Sequence, residues 1–257
     1  MVDDNGPVAR ASFRFYAELN DFLDVGRRHR DLDFGFGVAP SVKDAVESLG
    51  VPHTEVDLVL VNGDSVDFGH RLGDGDRISV FPVFERLDIG RVTKVRPEPL
   101  REVRFVVDGH LGTLARRLRL LGFDALFEPG WSDAELAEIS ARERRILLTR
   151  DRGLLKRSAV THGLFVRGDD PDDQIVDIVR RLQLSTRLRP FTLCTVCNAE
   201  LHPVDKEEVR DRLPPRTQVE FDHFVECPDC RRVYWEGSHH EQLRGLVEWI
   251  IRRADEP

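Results

Sequence analysis

Cysteine is scarce in this chain, and the chain has no long hydrophobic run. Only four of its 257 residues are cysteines, and all four lie in the last quarter of the chain. No stretch approaches the roughly 20 apolar residues that a membrane helix requires. The first residues, Met1 to Pro7, are acidic and polar, without the apolar core of a secretory signal. We therefore expect no membrane span, no export and a cytoplasmic location.

An overall positive charge is also missing, since the formal net charge is −8 at pH 7. Such a balance argues against a nucleic-acid partner. The charge is uneven, however: residues 96–157 carry 13 Lys and Arg against 10 Asp and Glu, whereas both flanking segments are acidic. Nearly all these cations are arginines, which suit bidentate contact with phosphate. The middle segment is thus a candidate nucleic-acid interface, unless its arginines only cover solvated helix faces.

The first 85 residues predict a small α+β domain. Residues 11–16 alternate apolar and polar positions as a strand does, and residues 40–50 have the apolar spacing of a short helix that ends at Gly50. Asn62-Gly63 predicts a hairpin, and residues 78–81 read as a last strand.

Within this domain, Val61-Asn62-Gly63 followed by Leu72 to Ile78 resembles the β-grasp sulfur carriers of thiamine and molybdopterin biosynthesis. Those carriers act through a free C-terminal Gly-Gly. This chain has Phe81-Pro82-Val83-Phe84 at that place and then continues. The resemblance therefore implies a β-grasp fold with a binding or scaffolding role rather than sulfur transfer.

Beyond a predicted linker at residues 86–101, which contains Pro97 and Pro99, the periodicity changes. Apolar runs typical of strands alternate with segments whose apolar residues have helical spacing. The strand-like runs lie at 103–107, 146–149 and 164–166. Strands alternating with helices predict an α/β domain, a parallel sheet with helices on both faces. The predicted boundaries are therefore 10–85 for the β-grasp domain, 102–187 for the α/β domain and 188–245 for a C-terminal module.

The C-terminal module contains two CxxC pairs, Cys194/Cys197 and Cys227/Cys230, separated by 29 residues. Two such turns can place four thiolates around one metal ion. The rival interpretation is a thioredoxin-like dithiol, but that chemistry needs a single pair, and cytosolic disulfides are rare. The spacing therefore predicts a structural zinc ribbon. A closed four-thiolate shell leaves no open position for catalysis.

Aspartates follow the strand-like runs of the α/β domain. Asp108, Asp151 and the pair Asp169/Asp170 each come after an apolar run, and Asp133 begins a helix. Ligands of open parallel sheets bind beyond the carboxyl ends of the strands. Carboxylates that converge there can hold divalent ions, which activate water and neutralise a phosphodiester transition state.

Each of these acids also has an ordinary structural interpretation. Asp133 could only stabilise a helix N-terminus through the macrodipole, and Asp170 could be the N-cap of the helix that Pro171 opens. Glu135 has the spacing of a capping-box partner for Ser132. For Asp108 and Asp151 the local sequence suggests no capping role, so these two are the favoured functional residues.

Three sequence segments resemble the Mut-seven C-terminal family, a PIN-like RNase domain. They are Phe105 to Gly112, Leu118 to Asp124 and Ile146 to Asp151. That family ends in a zinc ribbon, and both CxxC pairs match its pattern. Bacterial members often carry a ubiquitin-like domain in front, and residues 10–85 resemble such a domain.

This resemblance implies a ribonuclease that hydrolyses single-stranded RNA at a carboxylate-bound Mg or Mn site. Asp108 and Asp151 match best as metal ligands, with Asp133 and Asp170 completing the predicted catalytic set. Five arginines are candidate contacts to the RNA backbone: Arg116, Arg117, Arg119, Arg150 and Arg152. The expected partner is RNA, such as tRNA or ribosomal RNA. The alternative is a non-catalytic RNA- or ribosome-binding adaptor whose β-grasp domain recruits a protein.

Overall fold

The chain forms two compact units, and each unit is made of two separate segments of the sequence. A computed structural model describes residues 9–82, 93–95 and 102–256. The first unit comprises Met1–Glu102 and Asp151–Phe165, and the second comprises Val103–Arg150 and Val166–Pro257. The predicted α/β domain, 102–187, differs from this division because the segment 151–165 packs with the first unit. The predicted linker lies outside the described residues except for 93–95.

The first unit contains a five-stranded mixed sheet in the order β2-β1-β5-β3-β4. Strands β1 and β5 are parallel, and the other neighbouring pairs are antiparallel. This arrangement, with one helix between β2 and β3, confirms the β-grasp fold. The elements are β1 (Ala9–Phe15), β2 (Asp31–Phe36), α1 (Val42–Ser48), β3 (Leu58–Val61), β4 (Asp64–Ser65) and β5 (Arg77–Phe81), with 3₁₀ turns at Ala17–Phe22, Val25–Arg27 and His53–Glu55.

Local sequence explains helix α1 and the hairpin between β3 and β4. The hydroxyl of Ser41 accepts a bond from the backbone N–H of Asp44 at 3.1 Å and so caps α1, which ends before Gly50 at φ +109°. The hairpin turn needs two left-handed residues, and Asn62 and Gly63 supply them at φ 52° and 98°.

From residue 103 onward the described elements are β6 (Phe105–Val107), α2 (Gly112–Leu120), β7 (Ala125–Phe127), α3 (Asp133–Glu143), β8 (Ile146–Thr149), α4 (Arg152–Leu155), β9 (Gly163–Phe165), α5 (Pro171–Arg181), β10 (His202–Val204), α6 (Lys206–Val209), α7 (Pro215–Glu220), β11 (Phe224–Glu226), β12 (Val233–Trp235) and α8 (Ser238–Asp255). Short 3₁₀ turns lie at Gly109–Leu111, Ser185–Arg187 and Arg210–Arg212. Of these elements, α4 and β9 belong to the first unit.

In the second unit, β6 lies between β7 and β8, and both pairs are parallel. Every residue of β6 and β8 is buried, which requires cover on both faces of the sheet. Helix α2 packs against β7 and α5, and α3 packs against β6 and β8. The predicted parallel sheet with helices is therefore confirmed. None of the helices in the described ranges has the length and apolar content needed to cross a bilayer.

The C-terminal module is a three-stranded antiparallel sheet in the order β10-β11-β12. Its small core contains Val209, Leu213 and Phe224. Three apolar side chains are a small core, so a module of this size usually needs an additional stabilising element such as a metal.

Candidate functional site

The four cysteines meet at one point of the C-terminal module. All four sulfur atoms lie within 4.8 Å of one another, with Cys194 and Cys230 Sγ 3.6 Å apart and Cys197 and Cys227 Sγ 3.2 Å apart. These separations are far longer than a disulfide bond, and all four residues are free thiols. Tetrahedral zinc with bonds of about 2.3 Å needs sulfur atoms about 3.8 Å apart. The cluster therefore fits a four-thiolate zinc ion.

The two CxxC turns have the same backbone structure. Asn198 and Arg231, which follow the second cysteine of each pair, are left-handed at φ 73° and 61°. Each donates its backbone N–H to the carbonyl of the first cysteine of its turn, both at 2.9 Å. Two equivalent turns that present four sulfurs are the arrangement of a zinc ribbon.

Electrostatics within the cluster favour a cation. Burial acts to raise the pKa of the Cys194 thiol, but donors from Tyr234 and from the backbone of Cys197 and Val196 lower this pKa to about 6. Burial and the neighbouring thiols raise the pKa of Cys197 to about 12. Once one thiolate has formed, its neighbours thus resist ionisation, and a bound zinc ion would stabilise all four as thiolates.

The first CxxC turn is hydrogen-bonded to the edge of the parallel sheet. Asn198 Oδ1 accepts from the N–H of Ala125 in β7 at 2.9 Å, and its amide donates to Asp124 at 2.6 Å. Arg119 lies beside this contact, 4% exposed, and its Nε donates to the Ala125 carbonyl at 2.8 Å. Its Nη1 donates to the carbonyl of Val196 at 2.6 Å. These bonds occupy the free edge of β7 and join it to the cysteine turn.

Asp124 extends this network into the sheet. Arg145, only 6% exposed, pairs with Asp124 at 2.8 Å and also donates to the carbonyl of Phe105 in β6. Burial opposes ionisation of Asp124, yet bonds from Arg145 and Asn198 hold its pKa below the ordinary range. Folding of the cysteine turn is therefore coupled to folding of the parallel sheet.

We expect Asn198→Gly to destabilise the second unit by about 2–3 kcal/mol, because the variant keeps the left-handed backbone but loses the bonds to Ala125 and Asp124. Thermal and urea unfolding of the zinc-loaded protein would measure the change. Arg231→Gly, at the equivalent position of the other turn, is the control and should stay within about 1 kcal/mol of wild type. Equal stability of both variants would show that the bridge to β7 contributes nothing.

Asp108 lies at the carboxyl end of the central strand β6. Its Oδ2 accepts a bond from the hydroxyl of Thr149, at the end of β8, at 2.6 Å. The side chain is partly exposed and caps no helix, as expected from the sequence. The Thr149 hydroxyl thus fixes one carboxylate oxygen of Asp108.

Two glycines allow the chain to turn closely after Asp108. A side chain at Gly109 would place its Cβ 2.9 Å from the carbonyl oxygen of Pro129, and one at Gly112 would lie 2.8 Å from the ring of Phe127. Only glycine fits such a close approach without displacing its neighbours. The turn therefore keeps Asp108 at the carboxyl end of β6.

Two family models match this chain. The model described as "Mut7-C RNAse domain" matches residues 103–247, more than half of the chain, and the model described as "Mut7-C ubiquitin" matches residues 8–88. The chain belongs to the Mut7-C RNase domain family. Residues 8–88, which lie in the first unit, are thus a ubiquitin-like domain that precedes the RNase domain, as the sequence motifs had indicated.

No curated protein matches the chain. Among solved structures, the chain is similar to small archaeal modifier protein 1 from H. volcanii, at 20% sequence identity and a TM-score of 0.23. The alignment covers 29% of this chain and 97% of that one.

The other predicted acids of the RNase domain lie at helix starts. Asp133 begins α3, and its neighbours Ser132 and Glu135 form the predicted capping box. Asp170 caps α5 by accepting from two backbone N–H groups, and Asp169 is an exposed partner of Arg150. In the described part of the chain, the four cysteines are the only group of three or more potential ligands within metal-binding distance. The catalytic set remains a prediction.

Asp151 has a capping role that the sequence did not suggest. It lies at the N-cap of α4, where its Oδ1 accepts from the backbone N–H groups of Gly153 and Leu154 at 2.6 and 3.3 Å. The expectation that Asp151 has no capping role was therefore wrong. The bonds use one carboxylate oxygen and fix the orientation of the side chain.

The candidate RNA-binding arginines have different environments. Arg116 is exposed, whereas Arg117 pairs with Asp172 of α5 at 2.8 Å. Arg119 is buried, so its assignment to RNA contact was wrong: its guanidinium binds backbone carbonyls of β7 and the cysteine turn. Arg119 lies within the run Leu118 to Leu121, whose leucines are all buried, and this apolar run was the signal for burial.

Proposed function

We propose that this chain is a metal-dependent ribonuclease that hydrolyses RNA phosphodiesters at a carboxylate-bound Mg or Mn site. The observation that carries the proposal is the position of Asp108, at the carboxyl end of the central strand of an RNase-family sheet, with one oxygen fixed by Thr149. Asp108 and Asp151 are the proposed metal ligands, and Asp133 and Asp170 the proposed further acids.

The donors of the RNase domain fit a hard cation of this kind. Mg and Mn bind carboxylate oxygens, and Mg usually takes one or two protein carboxylates and keeps several waters. The described residues hold no cluster of three carboxylates, and such a site would still suit Mg, because RNA phosphate oxygens would supply further ligands. When bound, the ion would supply an activated water and neutralise charge at phosphorus. The role of Thr149 is to hold the Asp108 carboxylate in one orientation.

The proposal is tested by incubating purified protein with mixed cellular RNA in the presence of Mn and, separately, of EDTA. We expect cleavage with Mn and none with EDTA, whereas zinc in the four-thiolate cluster should not replace Mn. Cleavage that persists in EDTA would contradict the metal-dependent mechanism. RNA binding without cleavage under every condition would favour the alternative, a non-catalytic RNA- or ribosome-binding adaptor.

We expect Arg116→Gln to weaken RNA binding across many sequences. The exposed guanidinium would contact phosphate, so its removal should lower the slope of log affinity against log salt by about 0.7–0.9. Arg142→Gln is the control, since Arg142 is an exposed arginine of α3 already paired with Glu138 and Glu143. Filter binding or fluorescence anisotropy at several salt concentrations would measure both. An unchanged slope for Arg116→Gln would remove this residue from the interface.

A further inference from the structure

The C-terminal module carries a broad groove, here termed the module groove, that the proposed nuclease function does not use. Its volume is about 1070 Å³, and its lining comes mostly from the segment before the first CxxC pair, strands β10, β11 and β12, helix α6 and the start of α8. All of these segments belong to the second unit. Small molecules usually occupy enclosing sites of about 300–1,000 Å³. The module groove is larger and many of its lining residues are exposed, so it suits a segment of another chain.

Aromatic residues line part of the module groove. Phe191 has a left-handed backbone at φ 62°, which is rare for a bulky residue. Its N–H donates to the carbonyl of Leu120 at 3.0 Å, and its ring contacts that of His240 at a centroid distance of 4.3 Å. Tyr234 and Trp235 also line the groove, and both are half-buried. Partly exposed aromatic faces of this kind can accept a guanidinium group or a nucleobase.

The charge of the module groove distinguishes between these two ligands. Its lining has five acidic residues and two basic ones, a formal charge of −3 with the histidines neutral. Both basic residues are already paired, Lys206 with Asp222 at 2.8 Å and Arg231 with Glu226 at 3.1 Å. Within the described residues, the lining therefore has no spare cation for the phosphate backbone that an RNA ligand would bring.

The other three acids of the lining, Asp205, Glu208 and Glu236, are exposed. In the part of the chain that the structure describes, their carboxylates have no hydrogen-bond or ion-pair partner. An arginine side chain matches both properties of this surface, since its planar cation pairs with carboxylates and stacks on aromatic faces.

We propose that the module groove binds an arginine-rich segment of a protein partner. In the complex, guanidinium groups would pair with Glu208 and Glu236 and stack on the aromatic rings of the groove. Arginine is preferred to lysine there, because only its planar fork both stacks and pairs in a bidentate manner. The inference is independent of the nuclease proposal, since none of the proposed catalytic acids lines the groove.

The test measures the fluorescence anisotropy of a labelled peptide that alternates arginine with glycine, added to the full-length, zinc-loaded protein. We expect Glu208→Gln/Glu236→Gln to weaken binding of this peptide by about tenfold, because two exposed ion pairs are lost. The control, Glu207→Gln/Asp211→Asn, makes the same change of charge at two exposed acids outside the groove and should bind like wild type. Both double variants should keep the zinc content and the RNA cleavage of wild type. A lysine–glycine peptide should bind wild type more weakly than the arginine peptide.

Absence of peptide binding by wild type would overturn the proposal. Equal weakening in both double variants would also overturn it, since the peptide would then respond only to overall negative charge, and a lysine–glycine peptide of equal affinity would contradict the assignment to arginine. If Glu208→Gln/Glu236→Gln left peptide binding unchanged but alone bound single-stranded RNA more tightly, the groove would be an RNA site instead. Self-association of wild type that this variant alone reduced would assign the groove to a second copy of the chain.

Discussion

Asp108→Asn should lower RNA cleavage by about 10²–10³-fold while leaving the fold intact, because one ligand charge is lost where the transition state needs it. Asparagine has nearly the same volume and keeps a carbonyl oxygen that can accept from the Thr149 hydroxyl. Stability should therefore change by less than about 1 kcal/mol. RNA binding should persist or tighten, since a negative charge near the phosphates has been removed. Initial cleavage rates at saturating Mn, with thermal unfolding alongside, would measure these effects.

Asp211→Asn is the control for this experiment, because it makes the same chemical change at an exposed residue of a 3₁₀ turn. It should cleave RNA like wild type. If Asp108→Asn unfolds the RNase domain, the residue is structural. If Asp108→Asn and Asp151→Asn both cleave like wild type, the activity arises elsewhere or from a contaminant.

Cys197→Ser should release zinc and unfold the C-terminal module, the largest stability effect that we expect. Purified wild-type protein should contain one zinc per chain. Zinc binding in small modules contributes about 10–16 kcal/mol of apparent free energy, comparable with or above the total stability of most domains, about 5–15 kcal/mol. Because Asn198 follows Cys197 and binds β7, the loss should also lower the melting temperature of the parallel sheet. Elemental analysis would measure the loss of zinc. Thermal melts at two wavelengths would measure the unfolding of the module and the melting temperature of the parallel sheet.

Val196→Ser provides the control, since Val196 is an exposed residue of the same CxxC turn that binds Arg119 only through its backbone carbonyl. This variant should keep its zinc and its melting temperature. Protein purified without chelators that contained no zinc, or a Cys194–Cys197 disulfide, would contradict the four-thiolate site. A loss of zinc from Cys197→Ser with an unchanged melt of the parallel sheet would show that the module folds independently.

Features with a strong local signal could be predicted from the sequence. The capping box of Ser132 and Glu135, the Asn62-Gly63 hairpin and the cap at Asp170 depend on pairings between residues at most five positions apart. The two CxxC pairs likewise needed only their spacing. The role of Arg119 was mispredicted, because a charged residue was assumed to face solvent. Its partners, Val196 and Ala125, become neighbours only when the cysteine turn reaches β7.

The sequence by itself determined the family, the β-grasp fold, the parallel sheet and the four cysteines of the cluster, since periodicity and short motifs lie in consecutive residues. Only the tertiary structure decided that Thr149 orients Asp108, that Asn198 joins the cysteine cluster to the sheet, and that residues 151–165 pack with the first unit. The last of these pairs Arg152 with Phe22, 130 residues apart in the chain. Contacts at such separations depend on the packing of whole elements, and no local pattern of residue types encodes them.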